Sequence, residues 1–220
     1  MKNINESIYE WSSNSNVNSN LKDIIKNTSL KELEDAFYKN IEFGTAGLRG
    51  KLGPGPNRMN LHTVSRVTRA IAKEIKEKKQ EDKGVVIGRD SREYSKEFSE
   101  LSANILASQG IKVYLFDTVV PTPILAYSIL HLETSFGIMI TASHNPKEYN
   151  GYKVYSSDGI QISKEVANKI SKNSSEIEDF LDYKFPEVES IISLDRDHEV
   201  VKNYYEKAKK LRIPENVKIE

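Results

Sequence analysis

Residues 84–141 read GVVIGRDSREYSKEFSELSANILASQGIKVYLFDTVVPTPILAYSILHLETSFGIMIT. Short apolar runs bounded by turn residues predict three strands in this stretch, over Gly84–Gly88, Ile111–Phe116 and Phe136–Thr141. The two segments between them, Tyr94–Ser108 and Pro123–Leu132, have the length and composition of helices. Strands and helices in alternation predict βαβ units, in which helices cover both faces of a mainly parallel sheet.

The sequence after Thr141 adds a strand that runs the other way. A short polar turn leads from Thr141 to the strand pattern of Gly151–Tyr155, and so short a connection joins antiparallel strands. The predicted fold class is therefore α/β, a three-layer α/β/α sandwich with a mixed, mainly parallel sheet. Helices are expected to follow over Lys164–Ser175 and Arg196–Leu211, and Asn216–Glu220 has the pattern of a strand that has just begun.

The residues before the sandwich predict helices and a glycine-rich segment. Residues 12–20 form a polar loop between two helical pieces, and apolar residues then recur at three- and four-residue steps from Leu21 to Tyr38. The segment Gly44–Asn60 holds five of the eleven glycines, so irregular, exposed backbone is expected there. Asn60 is the predicted N-cap of a helix that runs to about Lys79.

The composition excludes several classes of function. Lys and Arg total 32 and Asp and Glu total 32, so no positive field favours nucleic acid, and a small molecule is the expected partner. The absence of cysteine excludes disulfides, thiolate zinc sites and a cysteine nucleophile. The sequence has no apolar run long enough for a membrane helix, so no membrane partner is expected. A cytoplasmic protein is the resulting expectation.

The candidate site centres on the loop Thr141–Pro146, with the sequence TASHNP, where the third predicted strand ends. Ligands bind beyond the carboxyl ends of strands in open α/β sheets. The loop offers the hydroxyl of Ser143, the imidazole of His144 and the amide of Asn145. All of these residues are also common turn formers, so the loop alone does not decide the function.

Three further segments carry residues suited to binding an anion. In Phe43–Gly50, backbone amides near Thr45 and Gly47 can approach a phosphate that Arg49 clasps, although the spacing is not that of a P-loop. The segment Gly88–Arg92 has two interpretations. In the first, Asp90 orients Arg89 or Arg92 by an ion pair. In the second, Asp90 or Ser91 caps the next helix. The fourth segment, Asn150–Lys153, places a lysine on the strand after the serine loop.

Together these four segments resemble the active-site signatures of the α-D-phosphohexomutase family, which includes phosphoglucomutases and phosphomannomutases. The resemblance covers residues from about Ile41 to Ser163, and the N-terminal extension looks most like that of the longer phosphoglucomutase and phosphopentomutase branch. It implies the fold of the family's first domain. It also implies a mutase that interconverts hexose 1-phosphate and hexose 6-phosphate through a phosphoserine and a bisphosphate intermediate.

The resemblance implies a role for individual residues. Ser143 would carry the phosphoryl group and hold Mg²⁺ through its phosphate, and Arg49 would keep that group in line. Lys153, or less favourably His144, would move protons at the sugar hydroxyl. Glucose 1,6-bisphosphate would be the activator. Phosphate contacts would come from the matching positions Thr45, Gly47, Arg49, Arg89, Asn145 and Asn150.

The chain departs from the family pattern because no Asp-x-Asp-x-Asp motif, which supplies the family's protein ligands for magnesium, occurs in it. We expect an N-terminal helical extension over 1–40, the serine domain over 41–195, and a linker helix with the first strand of a truncated second domain over 196–220. The chain alone would then be inactive and would need downstream domains of the same enzyme as partners. The alternative is a standalone module that binds phosphosugars or a partner without turnover. Neither the sugar nor the oligomeric state can be predicted.

Overall fold

A six-stranded sheet forms the middle layer of the computed structural model, which describes residues 3–179 and 181–211. The order of these described strands is β1-β5-β4-β2-β3-β6, and β5 runs in the opposite direction to the other five. The mixed, mainly parallel sheet predicted from the sequence is confirmed. The strands are β1 Leu48–Lys51, β2 Val85–Arg89, β3 Val113–Phe116, β4 Phe136–Ile140, β5 Tyr149–Ser156 and β6 Ile191–Leu194.

Helices cover both faces of this sheet. The helices are α1 Ile4–Ser13, α2 Ser19–Asn27, α3 Leu30–Phe37, α4 Leu61–Glu77, α5 Ser95–Ser108, α6 Thr122–His131, α7 Lys164–Ser175 and α8 Glu199–Lys210. On one side α4 packs against α5 and α7, and on the other α6 packs against α8. The predicted linker helix, α8, therefore lies in the outer layer beside α6. None of the described helices is long and apolar enough to cross a membrane.

The apolar strands supply one core on each face of the sheet. Because side chains alternate along a strand, Val85 and Ile87 of β2 face the α4–α5–α7 layer, whereas Val86 faces the α6–α8 layer. All three side chains are fully buried. A strand that is buried on both faces consists of an unbroken run of apolar residues. For this reason β2, β3 and β4 could be predicted from the sequence.

Two features of the sheet differ from the prediction. The segment Gly44–Asn60 is not wholly irregular and exposed, because it contains the edge strand β1 and because Pro54, Gly55 and Pro56 are buried. Strand β6 was not predicted at all: only Leu194 of its four residues is buried, so it shows no apolar run. The strand predicted over Asn216–Glu220 lies outside the described residues.

The N-terminal extension packs into a small separate core around Trp11 and Phe37, to which Leu181 also contributes. Its predicted helix over Leu21–Tyr38 is two helices, α2 and α3, because the side chain of Ser29 caps a new helix at Glu32 N. An ion pair of 2.6 Å between Asp35 and Arg58 ties α3 to the glycine-rich segment. The extension therefore supports the backbone that leads out of β1.

Candidate functional site

The serine loop connects β4 to β5 at the carboxyl edge of the sheet. Thr141 N donates to Gly151 O at 3.0 Å, and Thr141 Oγ1 accepts from Ser143 N at 3.0 Å. Ser143 is exposed and has a φ of 57°, in the left-handed region that residues other than glycine rarely adopt. Asn145 N donates to Ala142 O at 3.1 Å, which closes the turn. The loop thus presents the serine hydroxyl in a backbone conformation that needs outside support.

Lys153 lies directly beside this hydroxyl. Its Nζ donates to Ser143 Oγ at 2.6 Å, although the two residues lie on opposite sides of the turn between β4 and β5. Burial lowers the pKa of the Lys153 ammonium, and the positive charge of Arg49 lowers it further, while Asp90 partly opposes both effects. A lysine with a depressed pKa in contact with a hydroxyl is suited to move a proton there.

Arg49 reaches the serine loop from the neighbouring strand. In the register of β1 with β5, Arg49 lies opposite Gly151, and its Nη1 donates to Asn145 Oδ1 at 2.9 Å. The Arg49 side chain is exposed, so its remaining guanidinium donors can bind an anion beside Ser143. The structure therefore brings together four predicted residues: Ser143, Lys153, Arg49 and Asn145.

The turn before β1 places Gly47 against the strand that carries Lys153. Gly44 and Gly47 exchange backbone hydrogen bonds of 3.2 and 2.8 Å, which leaves Thr45 exposed on the turn between them. Gly47 has a φ of 78°, and a Cβ there would collide with the carbonyl oxygen of Tyr152. Only glycine fits both conditions, because it has no Cβ and adopts positive φ freely.

Within the part of the chain that the structure describes, three other predicted residues form no hydrogen bond with the Ser143 hydroxyl. Asn150 is fully buried, and its amide donates to Glu93 O at 2.9 Å and to Ser95 Oγ at 3.0 Å. Arg89 donates to Asp117 O at 3.1 Å, beyond the end of β3. His144 is exposed in the serine loop itself. The Asn150 amide therefore ties the end of the serine loop to Glu93 and Ser95 and is not available to a ligand.

One residue that shapes the site was not singled out from the sequence. Arg92 donates to backbone carbonyls of the serine loop, and its side chain is only 16% exposed. One interpretation of the segment Gly88–Arg92 was that Asp90 orients an arginine, and Arg92 Nε lies 3.3 Å from Asp90 Oδ2. The sequence therefore indicated that Asp90 pairs with an arginine, but it did not show whether that arginine is Arg92 or Arg89.

The described residues contain no group of three or more His, Cys, Asp or Glu side chains arranged to hold a metal ion. Asp90, the carboxylate whose charge acts on Lys153, is engaged by Arg92 and by the hydroxyl of Ser95 at 2.7 Å. Magnesium takes six oxygen ligands, and phosphorylated Ser143 could contribute one of them. The part of the chain that the structure describes therefore fits a single contact with the ion rather than a complete site.

The fold and the site together define a class, an α/β/α domain that presents a serine at the carboxyl edge of its sheet. A family model described as phosphoglucomutase/phosphomannomutase, alpha/beta/alpha domain I, matches residues 40–180. The chain belongs to the phosphoglucomutase/phosphomannomutase family, as its sequence motifs predicted.

Individual relatives agree with this assignment. A phosphoglucomutase of Staphylococcus haemolyticus is 45% identical over 139 residues, and one of Staphylococcus aureus (strain MRSA252) is 43% identical over 155 residues. These matches cover 63% and 70% of this chain but 25% and 28% of the relatives. The chain thus spans about a quarter of the length of the curated relatives it matches.

Solved structures share the fold. The crystal structure of a protein from Thermus thermophilus, assigned as a phosphomannomutase, superposes with a TM-score of 0.66 at 31% identity. The match covers 78% of this chain and 36% of that one. The phosphoglucomutase parafusin of Paramecium superposes with a TM-score of 0.59 at 16% identity, which shows the fold alone.

Proposed function

We propose that this chain supplies the phosphoserine of a phosphosugar mutase that interconverts hexose 1-phosphate and hexose 6-phosphate. Ser143 carries the phosphoryl group, donates it to the sugar monophosphate, and regains the other phosphate from the bisphosphate that results. One observation carries the proposal: the 2.6 Å contact between Lys153 Nζ and Ser143 Oγ pairs a nucleophile with a group that moves its proton. Family membership supports the reaction type.

In each transfer one bond to phosphorus forms and another breaks. The sugar hydroxyl oxygen bonds to phosphorus, the bond from phosphorus to Ser143 Oγ breaks, and a proton passes from the sugar hydroxyl to Oγ. Lys153 carries that proton, taking it as a neutral amine and returning it as an ammonium. The lowered pKa of Lys153 makes the neutral amine more available near neutral pH. The return transfer is the same step in reverse, with the bisphosphate as donor.

The neighbouring residues hold the phosphoryl group in line. Arg49 offers planar guanidinium donors next to the loop, fixed by its hydrogen bond to Asn145. The backbone of the turn around Thr45 and Gly47, just before β1, binds phosphate oxygens in this proposal. His144, exposed beside Ser143, is the second candidate for moving the proton, after Lys153.

Magnesium and glucose 1,6-bisphosphate complete the proposed reaction. Magnesium would contact an oxygen of phospho-Ser143 and neutralise charge on the phosphoryl group, which is its usual chemistry with phosphates. Since the described residues offer no further cluster of ligands, its other ligands come from outside them in this proposal. Glucose 1,6-bisphosphate would restore the phosphoserine whenever it is lost.

The isolated chain is proposed to be inactive as a mutase. It spans about a quarter of the length of its phosphoglucomutase relatives, and its serine is exposed, so water can compete with the sugar for the phosphoryl group. We expect no conversion of glucose 1-phosphate by the 220-residue chain with Mg²⁺ and glucose 1,6-bisphosphate. Turnover in a coupled assay would refute this part of the proposal.

A chimera tests the proposed function itself. Residues 40–180 of this chain replace the matching segment of the Staphylococcus haemolyticus phosphoglucomutase, and conversion of glucose 1-phosphate to glucose 6-phosphate is measured. We expect an active chimera that Ser143→Ala abolishes and Lys153→Met slows by about 10²–10⁴-fold, the usual contribution of a proton-transfer group. Lys147→Met, at an exposed lysine of the same loop, is the control and should retain activity. A folded but inactive chimera, or an active one with Ser143→Ala, would contradict the proposal.

A further inference from the structure

Each of the five N–H donors of the Arg92 guanidinium has an oxygen atom as its partner. Four of them donate to backbone carbonyls of the segment 143–149, and the fifth, on Nε, lies 3.3 Å from Asp90 Oδ2. The carbonyl partners are Ser143 at 3.0 Å and Asn145 at 2.6 Å on Nη2, and Pro146 at 2.8 Å and Tyr149 at 3.0 Å on Nη1. A single side chain thus fixes both ends of the serine loop.

Arg92 is itself held from the other side. Asp90 Oδ1 accepts from Arg92 N at 2.9 Å and from Ser95 Oγ at 2.7 Å. Ser95 Oγ in turn accepts from the buried amide of Asn150 at 3.0 Å, at the start of β5. The guanidinium is therefore anchored between the end of β2, the start of α5 and the start of β5.

We infer that Arg92 is a positioning residue that holds Ser143 against Lys153 without contacting the phosphoryl group. This inference rests on the proposed function, because it assumes that Ser143 Oγ is the reacting atom. Ser143 has a positive φ, which a serine adopts only when its surroundings fix it, and Arg92 binds the carbonyl of that same residue. Loss of Arg92 frees the loop and separates Ser143 Oγ from Lys153 Nζ.

The arrangement requires an arginine specifically. A planar fork with five fixed donors can bind two pairs of carbonyls and a carboxylate at once, whereas a lysine has three donors around one point. Arg92→Lys therefore keeps the positive charge but loses the fork. This difference separates positioning of the loop from a general electrostatic effect.

Hydrogen exchange of backbone amides, followed by NMR in the 220-residue chain, tests the inference without any catalysis. In Arg92→Ala we expect the hydrogen-bonded amides of Ser143, Asn145 and Tyr149 to exchange about ten-fold faster or more. Amides of β2 and β4 should keep their rates. Methylguanidinium should restore protection in Arg92→Ala, methylammonium should not, and Arg92→Lys should resemble Arg92→Ala.

The control is Arg69→Ala. Arg69 is similarly buried, at 19% exposure, and pairs with Asp179 at 3.0 Å on the side of α4 and α7. Its loss should leave exchange in the serine loop unchanged. If Arg92→Ala does not fold, Arg92→Lys carries the test. Unchanged loop exchange in the Arg92 variant, or equal acceleration throughout the sheet, would overturn the inference.

Activity of the chimera separates this inference from the proposed function. With Arg92 present, an inactive chimera refutes the proposed function and leaves the exchange result to decide whether Arg92 orders the loop. In an active chimera, Arg92→Ala should lower kcat with little change in KM, and methylguanidinium should recover part of it. A change in KM alone would overturn the positioning role, because it would place Arg92 in substrate binding.

Discussion

At the residue scale, Ser143 and Lys153 form a hydrogen-bonded pair whose properties depend on the charges and the backbone around them. Arg49 lies close enough to repel the Lys153 ammonium and also binds Asn145 in the serine loop. We therefore expect Arg49 to act in two ways: its guanidinium would bind the phosphoryl group, and its charge makes Lys153 easier to deprotonate. The two effects can be separated, because the second is visible without substrate.

The pKa of Lys153 tests this electrostatic coupling. Burial and then Arg49 hold it below the ordinary lysine value of 10.5, so removing the Arg49 charge raises it. We predict that Arg49→Gln shifts the titration midpoint of Lys153, followed by NMR of its ε-carbon, to higher pH. Lys51→Gln removes an exposed charge from the same strand and should leave the midpoint in place. A midpoint that stays or falls in Arg49→Gln would refute the coupling.

The second prediction at the residue scale concerns Gly47, with Gly110 as its control. Alanine at either Gly47 or Gly110 must adopt a positive φ, of 78° or 79°, at a cost of about 1–2 kcal/mol. At Gly110 the new Cβ meets nothing within 4 Å, whereas at Gly47 it collides with the backbone at Tyr152.

Gly47→Ala should therefore lower the free energy of unfolding by about 1–3 kcal/mol more than Gly110→Ala, the usual cost of overpacking. Urea unfolding of both variants measures the difference. Gly47→Ala should also displace Lys153, the residue after Tyr152, and alter its ε-carbon shift. Equal destabilisation in the two variants would mean that the turn before β1 does not press on β5.

At the element scale, α4 and α7 are joined by the buried carboxylate of Glu74. Its side chain is 1% exposed and lies 2.9 Å from both Lys78 and Lys169. Burial by itself raises the pKa of Glu74, but the hydrogen bonds from Lys169 and Lys78 outweigh it, and the net pKa is lowered. The ion pairs thus fix the helix layer that covers β5 from outside.

The sign of this shift predicts how stability depends on pH. Because the folded-state pKa lies below the ordinary value of 4.5, Glu74 stabilises the fold above pH 4.5 and ceases to do so as pH falls through the folded pKa. Glu74→Gln should cost about 1–3 kcal/mol at pH 7 and flatten the acid limb of the stability curve. Glu77→Gln, at a half-exposed glutamate 3.1 Å from Lys169, is the control and should cost less than about 1 kcal/mol. An unchanged acid limb in Glu74→Gln would contradict this role.

At the scale of the whole molecule, the sequence predicted the elements that carry their own pattern. Strands β2, β3 and β4 are apolar runs because both of their faces are covered, and α4 begins at the predicted cap Asn60. Strand β1 could not be predicted from its own residues, LRGK, because pairing with β5 creates it. Tertiary contact overrides local preference there.

The residues of the site also differ in whether the sequence could predict them. Ser143, Lys153, Arg49 and Asn145 were predicted from motifs, and the structure places their side chains together. Arg92 was not singled out, because it binds backbone carbonyls more than 50 residues away, and carbonyls leave no pattern in a sequence. Asn150 belonged to a motif, but its burial could be known only from the packing of β5 against α5.

The position of the phosphoryl group shows whether Ser143 is the residue that carries it. The chimera that carries residues 40–180 is incubated with glucose 1,6-bisphosphate and Mg²⁺, digested, and mapped by tandem mass spectrometry. We expect one phosphoryl group, on Ser143, that disappears in Ser143→Ala and is lost to glucose 1-phosphate on addition of that sugar. Phosphate on another residue, or phosphate that persists in Ser143→Ala, would contradict it.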